Sequence, residues 1–189
     1  MTALDERVPS APEPLRPGAT VWLTGLPSAG KTTLATALST RLEGRVEVLD
    51  GDEVREFLSK GLGFTREDRD TNVLRIGWVA ATLAKHGVLV LASVISPYAE
   101  TRAAVRALHD ERGAGFVEVH VATPVEVCSE RDVKGLYAKQ ASGEISGLTG
   151  VDAPYEPPTD PDAVVPTHEQ SLDESVEQLL AVLTAKGLV

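Results

Sequence analysis

The chain has 189 residues, of which 42% are hydrophobic and 24% are charged, and this composition predicts one domain with a buried core rather than a disordered chain or a multidomain protein. Its 18 Lys and Arg residues against 28 Asp and Glu residues give a formal net charge of −10 at pH 7, which argues against a general surface for nucleic acid or anionic membranes. Any anionic ligand must therefore bind at a locally basic site.

The N-terminal segment, residues 1–17, contains four prolines among charged side chains. Such a segment buries too little apolar surface to offset its ordering entropy, so we predict a flexible tail followed by a single domain over 18–189. The segment lacks the basic start and apolar run of a signal peptide, and the longest apolar stretch, 88–95, is too short to span a bilayer. We therefore expect a soluble protein with no membrane partner.

From Thr20 onward, short β-rich runs alternate with segments of helical period. The predicted strands are 20–25, 45–50, 88–95, 116–121 and 163–165. The predicted helices are 31–42, 53–60, 66–86, 97–112, 124–131 and 172–186. Their start signals are capping boxes at Thr65, Thr123 and Ser171, and first-turn prolines Pro97 and Pro124 behind Ser96 and Thr123. This alternation predicts an α/β fold, a five-stranded parallel sheet with helices on both faces.

The first predicted strand runs into the segment GLPSAGKT, Gly25 to Thr32, which fits the P-loop pattern G-x-x-x-x-G-K-[ST] between a strand and a helix. Backbone N–H groups of such a loop bind phosphates, the lysine reaches the outer phosphates, and the threonine hydroxyl can ligate Mg²⁺. A glycine-rich turn with an exposed lysine is the alternative. The predicted ATP-binding residues of this segment are Gly25, Pro27, Ser28, Ala29, Gly30, Lys31, Thr32 and Thr33, with Thr32 as the metal ligand.

Several classes of protein share the P-loop, and the residues after the second and third strands separate them. A regulatory GTPase needs an Asn-Lys-x-Asp segment, which the sequence lacks, and a motor ATPase usually has an acidic residue near position 95, where Ser96 and Pro97 stand. A small-molecule kinase instead places its acceptor near the end of the second strand, where this chain has Asp50, Gly51 and Asp52. There the Asp52 carboxylate can orient a hydroxyl and accept its proton, and its alternative role is a helix N-cap.

The helix predicted over 66–86 carries polar residues at the start of an otherwise apolar face. Arg69 and Asn72 lie at helical spacing from Ile76, so this face begins polar at the predicted site and becomes apolar in the core. A solvated surface charge is the alternative for Arg69.

The segment from about 131 to 150 contains Arg131, Lys134 and several glycines, a composition that suits a lid closing over phosphates. An ordinary solvated helix and loop is the alternative. Five prolines over 151–166 then predict an extended surface segment. The single cysteine, Cys128, leaves no partner for a disulfide or a thiolate zinc site, which fits a cytoplasmic protein.

The sequence, with these motifs in this order along the chain, resembles the adenylyl-sulfate kinases. These P-loop enzymes use MgATP to phosphorylate the 3′-hydroxyl of adenosine 5′-phosphosulfate (APS). The matching segments run from Gly25 to about Thr167: GLPSAGKTT, LDGDEVR, GLGFTREDRDTN, ISPY, the long segment from Val117 that contains KGLY, and the final Pro166-Thr167. Many families share the P-loop, whereas ISPY and KGLY in this order are much more specific.

The resemblance implies roles that spacing alone does not assign. It implies an APS site lined by Asp52, Arg55, Phe64, Arg69, Asn72, Ile95, Ser96, Lys134 and Leu148. It also implies that Lys31 and Asp52 are catalytic and that Arg131 and the segment around Pro166 border the ATP base. For Ser96 the family raises a phosphoserine intermediate, whereas an N-cap before Pro97 is at least as good an interpretation.

The sequence departs from the family pattern at Leu74 and Ala99, where many members have Arg, and at Leu148, where many have Phe. We expect residue 148 to stack on the APS adenine opposite Phe64, so half of that sandwich is aliphatic here. A kinase of the same fold acting on another small alcohol is therefore one alternative, and a weakly active nucleotide-binding partner of a sulfate adenylyltransferase is another. The resemblance also implies a homodimer.

Overall fold

The computed structural model describes residues 17–189, so all of the predicted tail except Pro17 lies outside the described residues. This part of the chain forms the strands β1 (Ala19–Thr24), β2 (Val46–Asp50), β3 (Leu89–Ser93), β4 (Gly115–Val121) and β5 (Ala163–Val165). Its helices are α1 (Lys31–Ser39), α2 (Gly51–Phe57), α3 (Arg66–Lys85), α4 (Ala99–Asp110), α5 (Val125–Arg131), α6 (Leu136–Ala141) and α7 (Leu172–Ala185). Of these helices α6, inside the predicted lid, was not expected from the sequence.

The five strands form one parallel sheet in the order β2-β3-β1-β4-β5, which confirms the predicted α/β fold. β1 lies at its centre, hydrogen-bonded to β3 on one side and β4 on the other. Because the strands are parallel, their carboxyl ends meet at one edge. In the β2–β3 register Asp50 lies opposite Ser93, so the residues that end these two strands are neighbours at that edge.

Apolar side chains alternate along β1 and so build a core on each face of the sheet. Val21 and Leu23 belong to the larger cluster, which contains residues of α1 and α7, whereas Trp22 belongs to a second cluster with Ile76 of α3 and Val105 of α4. All five side chains are fully buried. This alternation is the period-two pattern of a strand covered on both faces, and it fixes the sheet between two helical layers.

Two of the predicted helix caps form as the sequence indicates. The Thr65 side chain accepts a hydrogen bond from the Asp68 backbone N–H at the start of α3. Ser171 and Glu174 form the reciprocal capping box at the start of α7, with each side chain bonded to the other residue's backbone N–H. Both caps satisfy N–H groups that the first helical turn leaves without partners.

The predicted starts behind Ser96 and Thr123 are wrong. α4 begins at Ala99 and α5 at Val125, and neither helix has a side-chain cap. The Ser96 hydroxyl accepts instead from the Trp22 indole N–H at 3.0 Å, and the Thr123 hydroxyl bonds backbone far away in the sequence. A hydroxyl that has a distant buried partner is no longer available as a local cap.

Candidate functional site

The P-loop, residues 25–32, connects β1 to α1 at the centre of the sheet edge. Gly25 allows a close approach to the neighbouring strand, because a Cβ there would lie 2.6 Å from the Val121 carbonyl oxygen. Ser28 and Gly30 have φ values of 60° and 99°, and Gly30 is the residue that precedes α1. The loop therefore takes left-handed conformations on both sides of Ala29, as expected of a turn that directs backbone N–H groups at an anion.

Lys31 folds back over the P-loop. Its side chain is buried, and Nζ donates to the carbonyl oxygens of Gly25 at 2.9 Å and Leu26 at 2.8 Å. Burial lowers the pKa of Lys31 from its ordinary value of 10.5 to about 8, because the ammonium ion loses hydration that two neutral carbonyls replace only in part. A phosphate group at this loop would supply the missing negative charge and favour the ammonium form.

Thr32, Asp50 and Ser93 bring three oxygen groups together beside the P-loop. The Thr32 hydroxyl donates to Asp50 Oδ2 at 2.6 Å and lies 3.1 Å from the Ser93 hydroxyl. Sequence reasoning missed both Asp50 and Ser93 as site residues. Their positions at the carboxyl ends of two adjacent parallel strands were a signal that could have identified them.

Asp50 is also the residue that caps α2, since its Oδ1 accepts from the Asp52 backbone N–H at 2.9 Å. The N-cap alternative for Asp52 is therefore wrong. The Asp52 side chain is 66% exposed and forms an ion pair with Lys134 of the predicted lid, residues 131–150, whose side chain is 54% exposed. Two residues predicted at the acceptor side are thus brought together, although 82 residues separate them in sequence.

Arg69 joins α3 to the lid, and the solvated-surface alternative for it is wrong. Its guanidinium group is buried and donates to Thr149 Oγ1 and the Gly147 carbonyl, both at 2.6 Å, and to the Phe64 carbonyl at 2.8 Å. Arg55 stacks on the Phe64 ring, with the guanidinium carbon 4.7 Å from the ring centroid. These contacts bring together three predicted acceptor-side residues, Arg55, Phe64 and Arg69, and Arg69 connects them to the predicted lid.

Asn72 and Leu148 are both buried, but Asn72 has an unpaired polar atom among the described residues whereas Leu148 packs in an apolar cluster. Asn72 is 5% exposed, and its Oδ1 has no hydrogen-bond partner among the described residues, which leaves a buried acceptor for an N–H or O–H group. Leu148 is 7% exposed and belongs to the larger apolar cluster, whereas Phe64 is 67% exposed. The structure therefore does not bring Leu148 and Phe64 to one open surface.

Ile95 and Ser96 follow β3 in a strained turn. Ser96 has a φ of 41°, a left-handed value that costs a non-glycine residue about 1–3 kcal/mol. Its carbonyl accepts from Arg102 Nη1 at 2.8 Å, and the Ile95 carbonyl accepts from the Thr24 hydroxyl at 2.7 Å. The Ser96 side chain is almost fully buried against Trp22, so its hydroxyl is held inside the protein.

Arg131 and Thr167 meet behind the P-loop. Arg131 Nη1 donates to Thr167 Oγ1 at 3.0 Å, and Nη2 donates to the Thr167 carbonyl at 2.9 Å. Arg131 thus lies against the residue that follows Pro166, so the structure brings together the two segments expected beside the ATP base.

Residues 17–189 contain no group of three or more His, Cys, Asp or Glu side chains arranged to hold a metal ion. The oxygen groups of Thr32, Asp50 and Ser93 lie beside the P-loop, and such oxygen ligands suit a metal held jointly with phosphates. None of the helices over the same range combines the length and hydropathy that a membrane crossing needs.

A sequence model of the family described as adenylylsulphate kinase matches residues 17–166. An adenylyl-sulfate kinase of Chloroflexus aurantiacus is 56% identical over 177 residues, 92% of this chain and 93% of that protein. One of Myxococcus xanthus is 53% identical over 174 residues, 91% of this chain and 94% of that protein.

Solved structures show the same likeness. The Mycobacterium tuberculosis APS kinase CysC, in complex with AMPPNP and APS, has a TM-score of 0.86 at 42% identity and covers 89% of this chain and 98% of its own. A gluconokinase of Sinorhizobium meliloti, with a TM-score of 0.56 and 20% identity over 90% of this chain and 94% of its own, shares the fold alone.

Proposed function

This chain belongs to the adenylyl-sulfate kinase family, and we propose that the P-loop forms the donor side of its active site and Asp52 the acceptor side. The protein transfers the γ-phosphoryl group of ATP to the 3′-hydroxyl of APS and gives 3′-phosphoadenosine 5′-phosphosulfate. The observation that carries this function is an identity of about half over nine-tenths of the chain with adenylyl-sulfate kinases. The complex of the mycobacterial relative with AMPPNP and APS supports the same two substrates here.

On the donor side, the P-loop binds the phosphates of ATP with its backbone N–H groups and the N-terminus of α1. Lys31 leaves the carbonyls of Gly25 and Leu26, which it contacts at 2.9 and 2.8 Å, and turns to the outer phosphates. Rotation about the χ angles of Lys31 moves the ammonium group, and the positive φ values of Ser28 and Gly30 already suit a loop that directs its N–H groups at an anion. The ammonium charge then stabilises the negative charge on the transferring group.

The residues beside the P-loop fit a Mg²⁺ ion bound together with ATP. Thr32, Asp50 and Ser93 supply a carboxylate and two hydroxyls, with the Thr32 hydroxyl 2.6 Å from Asp50 Oδ2 and 3.1 Å from the Ser93 hydroxyl. Mg²⁺ prefers oxygen ligands shared between protein and phosphates. Thr32 and Asp50 would hold the ion. When bound, Mg²⁺ neutralises charge on the phosphoryl oxygens.

On the acceptor side, Asp52 orients the 3′-hydroxyl of APS and takes its proton as the new O–P bond forms and the bond to ADP breaks. Its exposed carboxylate caps no helix, so it is available for this role. Lys134, its ion-pair partner, remains beside the group that receives the phosphoryl. Arg55, Phe64, Arg69, Asn72 and Ile95 contribute the rest of the APS site, whereas the buried side chains of Ser96 and Leu148 lie in the protein interior.

The segment 131–150 acts as the lid. Arg69 attaches it to α3 through Gly147 and Thr149, and Asp152 accepts hydrogen bonds from the Gly147 and Leu148 backbone N–H groups at 2.8 and 2.6 Å. Closure over the phosphates excludes water from the transfer. The lid is part of a single catalytic domain over residues 18–189.

Further parts of the proposal concern partners and location. Half of the large hydrophobic side chains that are exposed on the described part of the chain lie on or between α2 and α3, among them Phe57 at 78% and Trp78 at 54%. Apart from Phe64, which belongs to the APS site, a second copy of the chain would cover them in a homodimer. A sulfate adenylyltransferase supplies the APS, and the lone buried Cys128 is in keeping with the cytoplasm.

The test is ADP release from purified protein with MgATP in the presence and absence of APS. We expect ADP release that depends on APS, and Lys31→Ala should lower it about a hundredfold or more without unfolding the domain. A faster reaction with another small alcohol would favour a kinase of different specificity. Turnover only in the presence of a sulfate adenylyltransferase would favour a nucleotide-binding partner.

A further inference from the structure

The carbonyl oxygen of Ala29, in the middle of the P-loop, is held by two threonines from distant segments. Thr167 Oγ1 donates to it at 2.8 Å, and Thr123 Oγ1 lies within donating distance at 3.0 Å. The two hydroxyls are 2.7 Å apart. Thr123 follows β4 and Thr167 follows β5, so two neighbouring strands of the sheet deliver these side chains to the same backbone atom.

Arg131 fixes the direction of the Thr167 hydroxyl. Its Nη1 donates to Thr167 Oγ1 at 3.0 Å and its Nη2 to the Thr167 carbonyl at 2.9 Å. The Thr167 hydroxyl has one proton, which can bond either the Ala29 carbonyl at 2.8 Å or the Thr123 hydroxyl at 2.7 Å. When Thr123 donates to Thr167, Thr167 Oγ1 accepts from both Thr123 and the guanidinium, and its own proton bonds Ala29. A charged donor also polarises the hydroxyl and strengthens the bond that it donates.

The position of the Ala29 carbonyl decides where the next N–H group points. No peptide bond in the described part of the chain is cis, and in a planar trans peptide the C=O and the following N–H point in opposite directions. Holding the Ala29 oxygen therefore directs the Gly30 N–H to the other side of the peptide, in a loop where Ser28 and Gly30 both have positive φ. That N–H is one of the groups with which a P-loop binds phosphate.

We propose that Thr167, supported by Thr123 and Arg131, is a positioning residue for ATP that acts on the phosphates through the Ala29–Gly30 peptide. It presets the loop before the nucleotide arrives, so its loss weakens phosphate binding while APS binding stays unchanged. The proposal rests on the P-loop being the ATP site. It differs from a contact with the base, because the affected part of the nucleotide is the phosphate chain.

The experiment compares Thr167→Val, Thr167→Ser and Thr123→Val with wild type by calorimetry, using ADP and inorganic tripolyphosphate as separate probes with Mg²⁺. We expect Thr167→Val to weaken both probes by a similar factor, about tenfold for one lost hydrogen bond. Thr123→Val should weaken both probes by a smaller factor, and Thr167→Ser should restore wild-type affinity. The KM for ATP should rise in Thr167→Val with the KM for APS unchanged.

Thr20→Val is the matched control, because its hydroxyl is also buried and bonds His109 Nε2 at 2.7 Å near the opposite end of β1. It should lower thermal stability without changing the affinity for either probe. The proposal is overturned by a folded Thr167→Val protein that binds tripolyphosphate as wild type does, by equal losses in Thr167→Val and Thr167→Ser, or by an equal loss in Thr20→Val. If Thr167→Val does not fold, unchanged tripolyphosphate affinity in Thr123→Val overturns it. Failure of the wild type to bind ADP would instead refute the P-loop as the ATP site.

Discussion

Asp50 and Asp52 are two residues apart but have different surroundings, and substitution of each tests the proposed division between metal-side and acceptor-side roles. Asp52→Asn keeps the shape of the side chain and removes the charge that accepts the proton. Its ion pair with Lys134 joins two side chains that are 66% and 54% exposed, and such pairs contribute about 0–1 kcal/mol to stability. We expect the free energy of unfolding to fall by less than about 1 kcal/mol, whereas loss of the base lowers kcat about a hundredfold or more.

Asp50→Ala is the comparison for stability. Asp50 accepts from the Asp52 N–H at 2.9 Å as the cap of α2 and from the Thr32 hydroxyl at 2.6 Å. Losing an N-cap costs about 1 kcal/mol, and losing a hydrogen bond to a charged acceptor costs about 1.5–3 kcal/mol. We therefore expect Asp50→Ala to lower the free energy of unfolding by about 2.5–4 kcal/mol.

Both quantities are measurable on the same protein samples. ADP release at saturating APS and MgATP gives kcat, and urea unfolding followed by circular dichroism gives the free energy of unfolding. The reasoning fails if Asp52→Asn retains nearly wild-type kcat. It also fails if that variant loses as much stability as Asp50→Ala, since Asp52 would then have a structural role that its exposure does not suggest.

Three further outcomes are expected. Ser96→Ala should keep kcat within about tenfold and lose about 1–3 kcal/mol of stability, because the Trp22 N–H then lacks its buried partner; complete loss of turnover in a folded variant would favour a phosphoserine intermediate. Leu148→Phe should lower Tm, since an added ring in the packed cluster costs about 1–3 kcal/mol; an equally stable variant with tighter APS binding would show that residue 148 faces the acceptor base. Burial lowers the pKa of His109 below its ordinary 6.5, so its contribution to the free energy of unfolding is complete above pH 6.5 and is lost as the pH falls. Urea unfolding on both sides of that pH should show a smaller loss in His109→Gln than in wild type.

The main features of the fold and of the P-loop were predictable because they depend on short-range patterns. The strand β5 begins and ends where the sequence predicts, and the other strands differ by one or two residues. Gly25 to Thr32 form the predicted loop between β1 and α1, and Asp52 lies at the edge where the second strand ends. Because the strands are parallel, the P-loop and Asp52 lie at the same edge of the sheet, where Thr32 contacts Asp50 at the end of β2.

The roles of individual polar side chains could not be predicted in the same way. Ser96 and Thr123 have every local feature of a helix cap, yet their hydroxyls bond Trp22 and Ala29, 74 and 94 residues away in sequence. Arg69 was expected at the substrate, and its guanidinium also binds the backbone and hydroxyl of the lid. Leu148 is predicted to stack on the APS adenine opposite Phe64, and its side chain is 7% exposed within the larger apolar cluster.

The sequence by itself determined the α/β class, the five strands, the P-loop and the acidic residues that follow β2, because alternation, glycine spacing and strand ends are local properties of the chain. Only the tertiary structure decided which atom each hydroxyl and guanidinium binds. Local caps and distant partners compete for the same donor or acceptor at nearly equal free energy in water. A buried donor or acceptor that has no other hydrogen-bond partner favours the distant bond, because leaving a buried polar group unpaired is costly. The position of that buried group depends on the packing of the whole sheet edge.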